Sequence, residues 1–307
     1  MQKPPICRAA TQGERWAYYL RMTARLAKLF VFLTGCTLAT LAQAQAHCKA
    51  PFALGELSRT YSDPDRANRA VAVLIRFPAA SAGASTPLAG CAFPRIAVGH
   101  GFTIPGNRYG YLATRVARLG YVMVFPRTEE GIANHLSFAL DLNFALRALS
   151  ADPAFANVLA DSSALIGHSM GGGAGFLAAA LAPNHSALIG LAPAETNPSA
   201  ITAAASITMP TLILTGSLDC VTPFAQHAQP LFAALATAPA RRRQVDLVGG
   251  SHCQFSDGWF TCSIGESGCT AATLTASEQQ ALAASEIAAF LQRFVRAGEL
   301  FVSGFEG

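Results

Sequence analysis

The chemistry in this chain begins at Gly167-His168-Ser169-Met170-Gly171, a G-x-S-x-G pattern. A serine hydroxyl is a weak nucleophile until something holds it exposed and something else takes its proton. The first condition is met where a strand turns sharply into a helix, with glycines on either side tolerating the strained backbone and close packing. The flanking sequence has that order: the apolar run Ala164–Ile166 reads as a strand, and the small residues from Gly172 onward read as a helix.

A serine nucleophile needs a histidine base and an acid that orients it. Such residues collect in loops at the C-terminal ends of parallel strands. Asp219 follows the strand-like Thr211–Thr215 through Gly216-Ser217-Leu218, which puts its carboxylate at the strand's C-terminal edge. Asp246, inside a strand, and Glu195, in the preceding loop, are the rival acids; a turn-forming Asp ahead of Thr222-Pro223 is the non-catalytic alternative. His252 follows Val245–Val248 through Gly249-Gly250-Ser251, two glycines that allow the imidazole to swing over the sheet edge. Among the other histidines, His168 is the x of the serine motif and is expected to point away from the partner, and His100 lies in a separate turn. Acyl transfer also needs N–H donors for the oxyanion: the amide of Met170, just after the serine, and the amide of Phe102, in His100-Gly101-Phe102-Thr103 after the strand Ile96–Gly99.

Cys220 and Cys253 each come one residue after a candidate triad member. A disulfide between them would clamp the acid loop to the base loop, leaving Cys262 with Cys269 and Cys48 with Cys91. Six cysteines allow 15 pairings, so this set is one expectation among many. No Cys/His spacing matches a zinc site, and no metal or cofactor is implied.

These residues need a scaffold. Strands are predicted at 57–61, 71–77, 96–99, 122–125, 164–166, 187–191, 211–215 and 245–248, the first two as an antiparallel hairpin around the polar turn Ser62–Asn68. Helices are predicted at 109–119, 134–150, 172–181, 224–236 and 276–296. Short apolar strands alternating with helices imply a single α/β domain with a mostly parallel sheet flanked by helices. Residues 81–89 read as a surface loop, 255–271 as a disulfide-stapled loop, and Arg241-Arg242-Arg243 as a solvated loop.

The chain has 307 residues, 51% hydrophobic and 13% charged, which excludes a disordered chain and allows one large core. Residues 1–46 read as a secretory signal: Arg21, Arg25 and Lys28, the apolar stretch Leu29–Leu41, then Ala42-Gln43-Ala44-Gln45-Ala46. Met22 is an alternative start, and Leu33-Thr34-Gly35-Cys36 resembles a lipobox that would anchor the protein through Cys36. That leader holds six basic residues and one acid, so without it the net charge of +4 becomes −1. The basic balance is therefore no sign of nucleic-acid binding. The even number of cysteines after it fits a secreted or periplasmic protein, with residues 47–307 as the catalytic domain, no stable membrane span and a monomeric state.

The segments GHSMGGG, HGFT, GSLDCVTP and GGSHC together resemble the α/β-hydrolase fold. More narrowly they are similar to its dienelactone-hydrolase-like branch, which holds the bacterial cutinase-like polyester hydrolases, with chlorophyllases and platelet-activating-factor acetylhydrolases as relatives. The resemblance implies a Ser169-His252-Asp219 triad, an oxyanion hole of the Phe102 and Met170 amides, and hydrolysis of small or polymeric carboxylic esters. Polyester hydrolases usually carry a Trp after the strand that follows the nucleophile helix; here Ala194 stands in that substrate-facing position. Phe102 is then the apolar wall available to a substrate. The same triad also serves lipases, thioesterases, peptidases and acyltransferases, and a silent binding protein on this fold is the non-enzymatic alternative. Covalent labelling of Ser169 by a fluorophosphonate separates the last from the rest.

Overall fold

In the computed structural model, which describes residues 48–131 and 133–296, the chain opens with an antiparallel hairpin of β1 (Ala53–Asp63) and β2 (Arg69–Ala79). Both strands are longer than their apolar cores predict. The hairpin pairs Ala53 with Ala79 at one end and Asp63 with Arg69 at the other, so the ladder continues beyond the predicted apolar runs in both directions. At its tip Asp63 caps a short turn and is itself paired with Arg66 at 2.6 Å.

The remaining strands are β3 (Phe93–Gly99), β4 (Val122–Pro126), β5 (Leu159–His168), β6 (Ala187–Leu191), β7 (Thr211–Gly216) and β8 (Arg242–Leu247). They complete an eight-stranded sheet in the order β1-β2-β4-β3-β5-β6-β7-β8. From β4 to β8 all neighbours run parallel, while β2 pairs antiparallel with both β1 and β4. Every residue of β4, β6 and β7 is buried, as strands covered on both faces require.

The helices are α1 (Gly110–Arg115), α2 (His135–Ala151), α3 (Met170–Leu181), α4 (Ala200–Ala204), α5 (Ala228–Ala234), α6 (Phe260–Gly265) and α7 (Ala276–Phe294). Leu112 of α1 and Ala283, Ile287 and Leu291 of α7 share one core with Ile96, Val98, Ile166, Ile189 and Leu214. Period-2 alternation sends Ala97, Leu165, Leu188 and Ile213 to the opposite face, where α3 lies close enough for Gly175 to face the Leu188 side chain. Three helices carry side-chain caps that set their starts: Asn134 accepts the Ser137 N–H at 2.9 Å, Ser199 accepts the Thr202 N–H at 3.1 Å, and Thr275 and Glu278 form a reciprocal capping box. The fully buried Asp141 of α2 binds Arg69 in the hairpin at 2.8 Å, tying that helix to β2.

The described residues from 50 onward form one compact unit. The expectations for the leader, including cleavage near Ala46, Met22 and Cys36, lie outside the described residues. Among the described residues no helix is long and apolar enough to cross a membrane. Three sequence expectations are corrected. The stretch 255–271 is not a plain loop, because α6 forms inside it. Arg242 and Arg243 are not in a solvated loop: they open β8, where Arg242 donates to the Leu235 carbonyl at 3.0 Å and Arg243 pairs with Glu286 at 2.9 Å. The predicted helix 224–236 shrinks to α5, since Pro223 and the turn after it delay helix formation.

Candidate active site

β5 ends at His168 and α3 begins at Met170, which leaves Ser169 alone at the turn with φ 55° and ψ −122°. That is a costly backbone for a residue with a Cβ, and strained positions of this kind cluster at functional sites. The glycines around it are needed for space. A Cβ on Gly167 would strike the Gly171 carbonyl, and one on Gly171 would strike the backbone of Gly99 in β3. The elbow therefore closes only with glycine at both positions. Ser169 is 8% exposed, and its carbonyl accepts the Ala194 N–H at 2.9 Å, which ties the loop after β6 to the elbow.

The acid and base loops are joined backbone to backbone. Ser217 N–H donates to the Leu247 carbonyl at 3.1 Å, and Leu218 N–H to the Gly250 carbonyl at 2.9 Å. Gly249 turns the base loop with φ 81°, a left-handed value that favours glycine. This brings His252 Nδ1–H to Asp219 Oδ2 at 2.7 Å, with both side chains almost wholly buried. The Asp219 carboxylate accepts three further hydrogen bonds: the Val221 and Thr222 amides on Oδ1, each at 2.8 Å, and the Thr222 hydroxyl on Oδ2 at 2.8 Å. Burial alone would raise its pKa. The His252 contact, with the Thr222 amide and hydroxyl, outweighs burial and holds it below the usual carboxylate value. Among the described residues Ser169 Oγ forms no hydrogen bond with His252; such contacts often tighten only when substrate arrives.

The two rival acids are engaged elsewhere. Asp246 accepts the Thr215 hydroxyl at 3.0 Å, and Glu195 accepts the Ile201 N–H at 2.9 Å. Met170 opens α3, so its N–H belongs to the helix-start donors that lack an intrahelical acceptor. Phe102 sits in the turn after β3 with its side chain 55% exposed, so the ring is surface and not core. Ala194 lies beside the elbow through the amide contact above. Among the described residues no group of three or more His, Cys, Asp or Glu could hold a metal ion.

The cysteines next to the acid and base are oxidised, but not to each other. Cys220 pairs with Cys269, and Cys253 with Cys262. This corrects the expected Cys220–Cys253 and Cys262–Cys269 pairs. The reason is α6, which carries Cys262 toward the base loop while the turn after it returns Cys269 to the acid loop. Cys48 and Cys91 are also disulfide-bonded.

Three contributors escaped the sequence reading. Gln279 of α7, fully buried, clamps Ser251 by donating to its carbonyl and accepting its N–H, both at 2.8 Å. The helical pattern that buries Ala283 and Ile287 was the available signal, since Gln279 shares their face. Thr222, in the turn after Asp219, places its hydroxyl 3.1 Å from His252 Nδ1. His168 was expected to point away from the base. Its ring lies 4.7 Å from the His252 ring, centroid to centroid, and its Nε2 is 3.1 Å from the His252 carbonyl.

A mostly parallel eight-stranded sheet with a strained serine at the β5–α3 turn, and acid and histidine in the loops after β7 and β8, is an α/β-hydrolase fold. Within it, the chain belongs to the PET hydrolase-like family, whose model matches residues 82–269. It is similar to Cutinase 2 of Thermobifida cellulosilytica, 32% identical over 160 residues, or 51% of this chain and 59% of that protein. Cutinase cut1 of Thermobifida fusca matches at 32% over 160 residues, 51% of this chain and 49% of its own length. A bis(hydroxyethyl) terephthalate hydrolase of Streptomyces coelicolor matches at 28% over 162 residues, 52% and 50% respectively. The chain spans about half the length of these relatives.

Proposed function

We propose that the protein is an exported serine hydrolase of carboxylic esters, acting on polyesters, cutin-like esters or their small fragments. The observation that carries this is the 2.7 Å His252–Asp219 hydrogen bond set beside a serine whose backbone is strained into an elbow. In this reading Ser169 Oγ attacks the ester carbonyl carbon as His252 Nε2 takes its proton. The oxyanion lies between the Met170 and Phe102 amides. Asp219, kept ionised, holds the Nδ1–H tautomer and stabilises the imidazolium that forms. His252 then gives its proton to the departing alkoxide, leaving an acyl-serine. A water, deprotonated by the same imidazole, attacks the acyl carbon, and Ser169 leaves with the proton as the acid product forms.

The names of the relatives, cutinase and bis(hydroxyethyl) terephthalate hydrolase, support ester substrates of this class. Phe102 supplies an exposed aromatic ring, while Ala194, beside the elbow, offers none, so a substrate ring would find one aromatic partner rather than two. Disulfide-bonded cysteines support an oxidising compartment outside the cytoplasm. The test is a panel of esters of graded acyl length, with an aromatic polyester film, run on the wild-type protein and Ser169→Ala. Loss of ester hydrolysis and of fluorophosphonate labelling in the folded variant is the expected result. Activity within about tenfold of wild type would reject the assignment, since removing a triad nucleophile costs many orders of magnitude.

A further inference from the structure

His168 is the residue of the serine motif that ester hydrolysis, as proposed above, leaves without a task. Its ring is 1% exposed, so it contributes nothing to a substrate-facing surface. Both ring nitrogens are nevertheless engaged. Nε2 faces the His252 carbonyl at 3.1 Å, and Nδ1 faces the Tyr109 hydroxyl at 2.9 Å. Tyr109 is fully buried, and its hydroxyl oxygen also accepts the Gly101 N–H at 2.8 Å.

The direction of every bond in this chain is fixed by chemistry. A carbonyl can only accept, so His168 Nε2 must carry the proton it gives to His252. In the neutral ring Nδ1 is then an acceptor, and the Tyr109 O–H donates to it. A backbone N–H can only donate, so Gly101 gives its hydrogen to the remaining lone pairs of Tyr109. No donor or acceptor is left over. Proton addition to His168 would turn Nδ1 into a donor, forcing the Tyr109 hydroxyl hydrogen to turn away from its acceptor, and would place a positive charge beside the ring that must itself become imidazolium. Burial, followed by the neighbouring His252, pushes the His168 pKa well below its ordinary value.

The three ends of the chain matter. Gly101 precedes Phe102, His168 precedes Ser169, and the carbonyl belongs to His252 itself. We propose that Tyr109 and His168 form a positioning relay that holds the oxyanion loop, the nucleophile elbow and the base loop in mutual register, with His168 locked as the neutral Nε2–H tautomer. The inference rests on the triad reading of Ser169 and His252. The relay touches no reacting atom. It acts through the placement of the Phe102 amide and of the His252 ring. The Gly101 position is part of it: a Cβ there would come within 3.2 Å of His168 Nδ1 and 2.9 Å of the Ile104 side chain.

The test compares wild type with Tyr109→Phe, His168→Gln and His168→Leu on a soluble p-nitrophenyl ester, well below each melting temperature. Tyr109→Phe deletes one hydroxyl and leaves the Gly101 N–H without its acceptor. Loss of register of about 1 Å costs on the order of 100-fold in rate, so kcat is expected to fall about 10- to 100-fold while KM moves less than about threefold. Fluorophosphonate labelling of Ser169 should slow in parallel. His168→Gln keeps a donor for the His252 carbonyl and should recover most of kcat, whereas His168→Leu should not. Nitrogen-15 NMR of the wild-type histidines should show His168 neutral and protonated on Nε2. Wild-type kcat in Tyr109→Phe, equal kcat in the Gln and Leu variants, or an Nδ1–H tautomer would each overturn the relay. If His168→Leu does not fold, Tyr109→Phe and the NMR tautomer still decide. A wild-type protein that fails to label with fluorophosphonate overturns the triad reading instead, and the relay with it.

Discussion

Replacing Asp219 by Asn tests the acid's role with one atom changed. The four hydrogen bonds to the carboxylate dictate how the amide must sit. Oδ1 accepts two backbone N–H groups, from Val221 and Thr222, both at 2.8 Å. An amide nitrogen there would face two donors, so the amide oxygen keeps that side and the NH2 group takes the place of Oδ2. The Thr222 hydroxyl can adapt by rotating to accept from the NH2 and to donate to the Ala192 carbonyl, 3.2 Å away. His252 Nδ1 cannot adapt so cheaply. It faces a donor at the 2.7 Å position, so it must give up its proton and move it to Nε2, the atom that has to receive the Ser169 proton. The base is then in the wrong tautomer. In a serine protease with the same three groups this substitution lowers kcat about 10⁴-fold, or roughly 5.4 kcal/mol of barrier at about 1.36 kcal/mol per decade. The same loss is expected here, with KM little changed. It is read as p-nitrophenyl ester turnover per active site, with the melting temperature measured alongside. A folded Asp219→Asn protein retaining more than about a tenth of wild-type kcat would refute the reasoning. It would show that His252 takes its orientation from another group, the Thr222 hydroxyl being the nearest.

Two further outcomes follow from the fold. His185, between Ser163 and Asn143, is pushed down to about 4 by burial and then by Arg95. The unfolded chain therefore binds the proton more readily than the folded one, so this stabilisation is complete above the ordinary histidine value and is lost as pH falls from about 6.5 to about 4. About 2 kcal/mol should go between pH 7 and pH 5 from His185 alone; the urea midpoint should drop over that interval, less so in His185→Asn, and a pH-independent midpoint would contradict it. The Cys220–Cys269 bridge closes a loop with a sequence separation of 49. The double variant Cys220→Ser, Cys269→Ser should lose about 4 kcal/mol in the chain-entropy model, seen as a melting temperature lower by roughly 8–16 °C, and an unchanged melting temperature would count against the pairing.

Much of the scaffold is legible because the core strands are short, apolar and bounded by glycines. β6 falls on the residues its apolar run marks, Ala187–Leu191. β1 and β2 extend past their predicted spans because a hairpin ladder, once nucleated, continues through residues such as Glu56 and Ser62, whose side chains are exposed. The Asp219 and His252 loops are visible through their glycine turns, which only make sense where a backbone must bend sharply. The disulfide partners are not visible. Adjacency to a catalytic residue says where a sulfur starts, not which way its Cβ points, and α6 reverses the simplest assignment. Gln279 and the Tyr109–His168 contact are hidden for a different reason: their partners are 28 and 59 residues away, and nothing local distinguishes them from a buried polar residue of other use.

These hidden contacts share a physical logic. The proposed triad would have to be held to within about half an ångström, yet Ser169, Asp219 and His252 stand on strand-end loops, and the loop carrying His252 begins at Val248, which is 80% exposed. The buried residues that follow it, Gly249, Gly250, Ser251 and His252, are small or polar, so apolar packing alone does not set their positions. The chain fixes them with directional and covalent links instead. Backbone bonds zip the acid loop to the base loop. Gln279 clamps Ser251 from α7, and two disulfides run from the residues after Asp219 and His252 to a single short segment around α6. The same segment accepts the Cys253 N–H on Glu266 at 2.8 Å and meets the oxyanion loop through the Thr103–Thr261 hydroxyl contact, also 2.8 Å. Constraint is thus concentrated on the acid–base side and beneath the elbow. The groups left exposed around the serine, the Phe102 ring foremost, are free to vary without disturbing the machinery that activates it.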